Sequence, residues 1–416
     1  MADVSHTIHT APSGYAFSVG GRNTCVTSDG TIHHLFSYKN YGNYVSNLYY
    51  TVSTDEGATW DTPTSIGASY STSTASFDAV IAADSSDNLH VAYQRIRDSG
   101  GLNNIYYRMR TESTGNWSGE TWFSADIIHE SSPVIAVDSS DDVHLAWSGP
   151  NNGVVGYLDY CKKTSGSWGS NVSVSSVGSS QYIGPKQITC DSNGKVWIAG
   201  WISYTNHYGA IIVTDVTGSW VRTELDFGGH NGNGRVIGIA ISSDDHIHAL
   251  YYKNSKAYYK EYVSSWSAAV ALDATYDNTS GDIGVDSDDN VHVLLVGLSA
   301  DSETYTQVKH GLYVDTDTAF TDLTSDAGYS QRQVSMISRQ YPIVSTRHPN
   351  ILTSGYVFTW TYAARATKIF LSDDYEFDVP PKGPANLKSY NGLAKASIKS
   401  IKGLAIADIK SINGLE

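Results

Sequence analysis

The chain repeats one design six times. An apolar strand leads into a short turn of Asp, Ser, Asn or Gly, and a second, alternating strand follows. The stretches are TCVTSDGTIHHLFSY (24–38), AVIAADSSDNLHVAY (79–93), PVIAVDSSDDVHLAW (133–147), KQITCDSNGKVWIAG (186–200), IGIAISSDDHIHALYY (237–252) and DIGVDSDDNVHVLLV (282–296). Each carries the signature of a β-hairpin. One strand position is held in turn by His33, His90, His144, Trp197, His248 and His292, at steps of 44 to 57 residues. A tyrosine-rich strand follows each hairpin, as in NLYYTV, NIYYRM and KAYYKEY. A turn then ends on an aromatic residue: Trp60, Trp117, Trp168, Trp220, Trp266 or Phe320. A further strand-like run, such as TPTSIG or VRTELDF, closes the unit.

Four short strands per unit, repeated in series, predict an all-β protein, a β-propeller. One such sheet cannot bury both faces alone. Packing between neighbours buries them, and closing the ring limits exposed edges. The absence of a 3.6-residue period excludes a helical solenoid. A seventh, divergent unit fits 331–379, where QRQVSMIS, SGYVFTWTY and TKIFLSDDYEF are strand candidates. The early HTIHTAPSGYAFSV would supply its fourth strand and close the ring. Seven blades are favoured, with six as the alternative.

The propeller spans 1–379. The prolines and glycine of DVPPKGP mark a stiff linker at 380–385. Residues 386–416 form a second repeat, of period 11, with Lys388, Lys399 and Lys410 in register and Gly392, Gly403 and Gly414 likewise. A glycine in every unit argues against a continuous helix. Short strand–turn units are expected, serving attachment or oligomerisation; a flexible tail is the alternative.

Residues 53–60, STDEGATW, fit the Asp-box pattern, with Ser53, Asp55, Gly57, Thr59 and Trp60 all matching. Elsewhere the motif is worn to its aromatic end, as in TESTGNW and TDVTGSW. At the level of repeat architecture, residues 1–379 resemble the sialidase-like, or BNR-repeat, propellers. The motif is a staple: the carboxylate accepts from turn amides, Gly permits positive φ and Trp packs below. The resemblance places it on the rim away from the ligand, so it has no catalytic role.

The same resemblance puts the ligand face at the start of each innermost strand and at the loops between second and third strands. Those segments hold Arg22, His129, Tyr182, Lys186, His230, Arg235 and Arg332, then Lys39, Arg95, Arg97, Tyr204 and His207. Cations, histidines and tyrosines thus gather on one face of a chain whose net charge is −15. Arginine clamps carboxylates and tyrosine faces stack on sugars, so an acidic glycan is the expected partner. Arg22, Lys39, Arg95, Arg97, Lys186, His207, Arg235 and Arg332 are the candidate substrate-binding residues. His129, His230, Tyr182 and Tyr204 are the candidate catalytic ones.

Two enzymatic readings compete. Arg22 resembles the first-strand arginine of sialidases, but the usual Arg-Ile-Pro is RNT here, and the acid-bearing loop is KNYGNY, without Asp. That departure argues against exo-sialidase activity. The other reading resembles propeller polysaccharide lyases, in which a cation neutralises a uronate while His or Tyr moves the proton. A non-catalytic, lectin-like or structural propeller is the alternative to both.

The acidic balance argues against nucleic acid, and no apolar run approaches the ~20 residues of a membrane span. Acidic turns such as DSSDD lack the spaced ligands of a calcium loop, so neither metal nor cofactor is expected. Cys25, Cys161 and Cys190 match no zinc or redox spacing and read as buried thiols. MADVSHTIHTAPSG lacks the marks of a secretory signal. The tail weakly resembles C-terminal repeats of phage structural proteins. Together these suggest a virion-associated protein, or one outside the cell after lysis, with a cytoplasmic one as the alternative.

Overall fold

The computed structural model describes residues 22–40, 45–55, 59–67, 70–71, 78–96, 103–123, 130–149, 156–178, 181–204, 207–227, 234–254, 256–272, 280–285, 289, 291–299, 302–313 and 320–322, with further strands at Ser5–Thr10, Tyr15–Ser18 and Lys368–Ser372 and four two-residue strands between 389 and 405. Every regular element among them is a β-strand. The chain divides into two compact units, Met1–Asp373 and Asp374–Glu416.

Six antiparallel sheets follow one another in the first unit. Their innermost strands are Thr24–Val26, Ala79–Ala83, Ser131–Val137, Tyr182–Cys190, Arg235–Ile241 and Ser280–Val285. Each pairs with the alternating strand of its hairpin, then the tyrosine strand, then an outer strand such as Val221–Phe227, the expected VRTELDF. Ser5–Thr10 pairs antiparallel with Lys368–Ser372, so the start of the chain meets the end of the first unit. The early segment does not act as one strand. Tyr15–Ser18 pairs with Ser37–Asn40 of the first sheet instead. QRQVSMIS and SGYVFTWTY lie outside the described residues.

The core is divided among the seams between sheets. Leu35, Leu48, Ile81 and Val91 fill the first seam, and Ile105, Leu145, Trp147 and Cys161 the second. Val134, Leu158, Ile198 and Val213 fill the third, and Trp197, Ile212, Ile239 and Tyr251 the fourth. The second to fifth sheets carry core residues on both faces, so Ala79–Ala83 is buried at all five residues and shows no alternation. Cys25, Cys161 and Cys190 are free and buried.

The repeated histidine is structural. His90 Nδ1 lies 2.7 Å from the Tyr107 hydroxyl and Nε2 3.1 Å from Asp84 Oδ2. His144 repeats this with Tyr160 at 2.7 Å and Asp138 at 3.0 Å; His33 and His248 keep the tyrosine bond. The tyrosine then meets the tryptophan of the next sheet, with ring centroids 4.9 Å apart for Tyr107–Trp168 and for Tyr160–Trp220. Burial holds the His33 and His248 imidazoles down at about 4, so they are neutral near pH 7.

The acidic turns do more than close hairpins. The first Asp of a turn caps its own backbone: Asp84 Oδ1 accepts from Ser86 N and Asn88 N. The second sits at positive φ, 62° at Asp87, and reaches the previous sheet. Asp87 accepts from Ser28 N at 2.8 Å and Ser28 Oγ at 2.5 Å. Asp141 does the same to Ser85, Asp245 to Ser192 and Asp289 to Ser243. These clasps link successive sheets along one rim. Asp87→Ala loses both bonds and places Ala at a left-handed φ. A loss of about 1–2 kcal/mol is expected in urea unfolding, whereas Asp84→Ala should also release His90.

In STDEGATW, Asp55 accepts from Ser53 Oγ, Thr59 N and Thr59 Oγ1 at 2.8, 2.8 and 2.6 Å. Those hydrogen bonds hold its carboxyl down at about 2. In the second unit, Ser389–Tyr390 pairs with Leu393–Ala394 and Ser400–Ile401 with Leu404–Ala405. The two pairings recur at the 11-residue step of the repeat.

Candidate functional site

The acidic turns and the Asp55 turn share one end of the sheets. The opposite end, where innermost strands begin and second strands pass to third, carries the polar groups that no repeat explains.

Its deepest layer is a buried network. Arg22 of the first sheet sends Nη2 to Ile239 O at 2.7 Å and Ile283 O at 2.9 Å, in the fifth and sixth sheets. It also lies 3.5 Å from Asp282 Oδ1. Gln187 of the fourth sheet donates to Asp282 Oδ1 at 2.6 Å and accepts from Ile239 N at 2.5 Å. Side chains of the first and fourth sheets meeting the fifth and sixth show that the innermost strands face a common centre. Gly238 makes the room: a Cβ there would lie 2.7 Å from Asp282 Oδ1. Arg22 is thus buried and bound to backbone carbonyls, a tie across the ring rather than a clamp on substrate.

Three innermost strands carry bulges near their starts, between Ser131 and Val134, Pro185 and Gln187, and Val236 and Gly238. A bulge re-aims side chains. Ser132, directly before Pro133, has φ 54° and donates its N–H to Gln94 Oε1 at 3.3 Å. Lys186 sits on the second bulge. Its charge opposes the desolvation that pushes the Asp78 carboxyl up. Asp78, at the start of the second sheet, escapes a sequence search because an isolated Asp before AVIAA reads as one more turn residue.

Arg95 stacks on Tyr106, 4.1 Å from its centroid, and pairs with Glu120 Oε2 at 3.0 Å. Glu120 also receives the Tyr93 hydroxyl. Arg95 is therefore committed to its own sheet.

The most open group lies on the face that the fourth sheet turns towards the fifth. Gly184, Trp201, Ala210 and Asp226 form one register row across the four strands. Tyr182, Ser203 and Tyr208 form the next row towards the strand ends. Tyr182 is 52% exposed. Trp201 and Tyr208 meet edge to face at 5.7 Å. Arg235, exposed at the start of the fifth sheet, lays its guanidinium 4.3 Å from the Tyr208 centroid and 5.1 Å from that of Trp201. Gly184 lets the indole lie against the sheet, for a Cβ there would be 3.0 Å from it. Two rings and an arginine so arranged offer an apolar face and a fork of donors side by side, the requirements of a sugar ring bearing an acid.

Of the residues singled out from sequence, Arg235 lies against Trp201 and Tyr208, and Tyr182 shares the register row of Tyr208 two strands away. Trp201 and Tyr208 read as ordinary strand aromatics and were not singled out. Tyr204 and His207 pair through their backbones at the tip of the same hairpin, and Lys39 pairs with Ser46; the side chains of these three lie outside the described residues. His129, His230, Arg97 and Arg332 lie wholly outside them.

No family model matches the chain, and no curated protein does. Among solved structures it is similar to ulvan lyase, a polysaccharide lyase, with TM-score 0.58 and 10% identity over 88% of this chain and 96% of that one. The same enzyme bound to an oligosaccharide of glucuronate and sulfated rhamnose aligns with TM-score 0.57. The fold is a β-propeller. Further propellers align less closely: an α-L-arabinofuranosidase from Fusarium graminearum, with TM-score 0.50 and 11% identity over 75% of this chain and 97% of that one, and the NanB sialidase of Streptococcus pneumoniae, with TM-score 0.48 and 13% identity over 88% and 70%. These structural neighbours act on glycans.

Proposed function

We propose that this propeller binds an acidic polysaccharide on the platform of Tyr182, Trp201, Tyr208 and Arg235. The observation that carries the reading is Arg235 stacked on two rings, with the exposed Tyr182 in the register row of Tyr208. Stacking holds the guanidinium flat, with its N–H edges directed away from the rings, so a carboxylate can be met at little entropic cost. Titration with acidic and neutral polysaccharides tests it. The wild-type protein should bind uronate-containing chains and ignore dextran. Arg235→Ala should weaken that binding about tenfold or more, and Trp201→Ala by a similar factor. Equal affinity for dextran, or an unchanged Arg235→Ala, would refute the reading.

The likeness to a polysaccharide lyase along 88% of the chain supports a second reading, cleavage by β-elimination. Product absorbance of an unsaturated uronate reports it directly, and silence on every chain that binds would leave a lectin. In the same proposal the hairpin repeat of 386–416 attaches the propeller to a larger particle, such as a virion, or assembles copies of it. Removing 386–416 should then abolish particle association or lower the mass in light scattering.

A further inference from the structure

The platform does not end at Trp201. Its register row continues through Ala210 to Asp226 on the outer strand. Two strand spacings separate Trp201 from Asp226, roughly 10 Å, the scale of one disaccharide. Ala210 between them raises no wall. The fifth sheet again supplies the cation, for Lys253 Nζ meets Asp226 Oδ1 at 2.7 Å. The Tyr251 hydroxyl donates to Asp226 Oδ2 at 3.4 Å. Lys253 and Asp226 stay partly open to solvent, at 27% and 21% of their side chains. Lys253 follows Tyr252, the register partner of Arg235, so both cations lie at one end of neighbouring strands.

The two cations differ in what they can offer. Arg235 rests on rings, pairs with no carboxylate among the described residues, and suits an acid group. Lys253 is already neutralised. A hydroxyl can donate to Asp226 and accept from Lys253 without disturbing the pair. A sulfate or carboxylate would have to part an ion pair and sit next to the Asp226 charge.

We infer that the seam between the fourth and fifth sheets reads two successive sugars, an acidic one at Arg235 and an uncharged one at the Asp226–Lys253 pair. The ligand class is therefore an unsulfated chain in which uronate alternates with a neutral sugar. The inference rests on the platform reading above and adds a second position to it.

Three probes separate the two: hyaluronan, which alternates uronate with an uncharged amino sugar; chondroitin sulfate, which adds sulfate to the amino sugar; and polygalacturonate, which is acidic throughout. The full-length protein should prefer hyaluronan over both others by about tenfold. Asp226→Asn should reduce that preference to about threefold or less, by gaining affinity for the charged chains. Lys253→Gln leaves Asp226 uncompensated and should sharpen the preference. The opposite signs guard against general damage, and melting curves show that each variant folds. If all three probes bind equally, or if both variants shift the preference in one direction, the second position is overturned while the platform stands. If no acidic chain binds at all, the platform falls and the inference with it.

Discussion

Replacing Arg22 with Met is expected to destabilise the first unit by about 3–5 kcal/mol. The guanidinium joins three sheets: its own, the fifth through Ile239 O and the sixth through Ile283 O and Asp282. Met fills much of the volume but donates nothing. Two carbonyls lose a charged donor, and Asp282 loses its cation while remaining buried. Gln187 and the Ile283 N–H still donate to Asp282 Oδ1, so the carboxylate keeps these partners but loses the Arg22 charge. Urea unfolding followed by tryptophan fluorescence measures the loss. Arg22→Met combined with Asp282→Leu should cost less than the sum of the two single changes, because each single change breaks the same contact between them. Additive effects would show that the side chains act separately. A sugar-binding role predicts the reverse pattern, with affinity lost and stability kept.

This residue marks the limit of the sequence reading. Periodicity tells which way a strand residue faces its own sheet. It cannot tell which innermost-strand residues reach the centre, because that depends on how neighbouring sheets pack around it. Arg22 precedes one innermost strand and Lys186 lies within another; the first is buried in the centre, and the second rides a bulge near Asp78. The repeat of the first unit was plain, down to Val221–Phe227, because local alternation and turn chemistry encode it. The clasps were half visible. The second Asp of each DSSD-like turn stands in the sequence four times, at Asp87, Asp141, Asp245 and Asp289, but only the neighbouring sheet explains why it is Asp. Of the proposed platform, Tyr182 and Arg235 stand out in the sequence because they lie at strand starts. Trp201 and Tyr208 lie within strands, where an aromatic is what a buried sheet would have anyway.

Asp159→Asn is expected to stabilise the protein at pH 7.5. Asp159 lies in the third sheet, opposite Trp147 in register and over Gly149, where a Cβ would be 2.2 Å from its carboxylate oxygen. Burial raises its carboxyl to about 6, and a hydrogen bond from Ser173 only partly offsets this. The folded state therefore holds the proton more tightly than the unfolded chain, whose carboxyl titrates near 3.8. Below that pH both states are protonated and the site imposes no penalty. As pH rises from 3.8 through 6, the unfolded chain ionises first and stability falls. Above 6 the folded state holds a half-buried carboxylate, a penalty of about 1–2 kcal/mol after allowance for its remaining contact with water. Asn keeps the size and a hydrogen bond without the charge. The variant should melt several degrees higher at pH 7.5, and the gain should vanish near pH 4. A gain that did not depend on pH would assign the effect to packing. A loss at pH 7.5 would mean that the carboxylate has a partner more valuable than the solvation it forgoes.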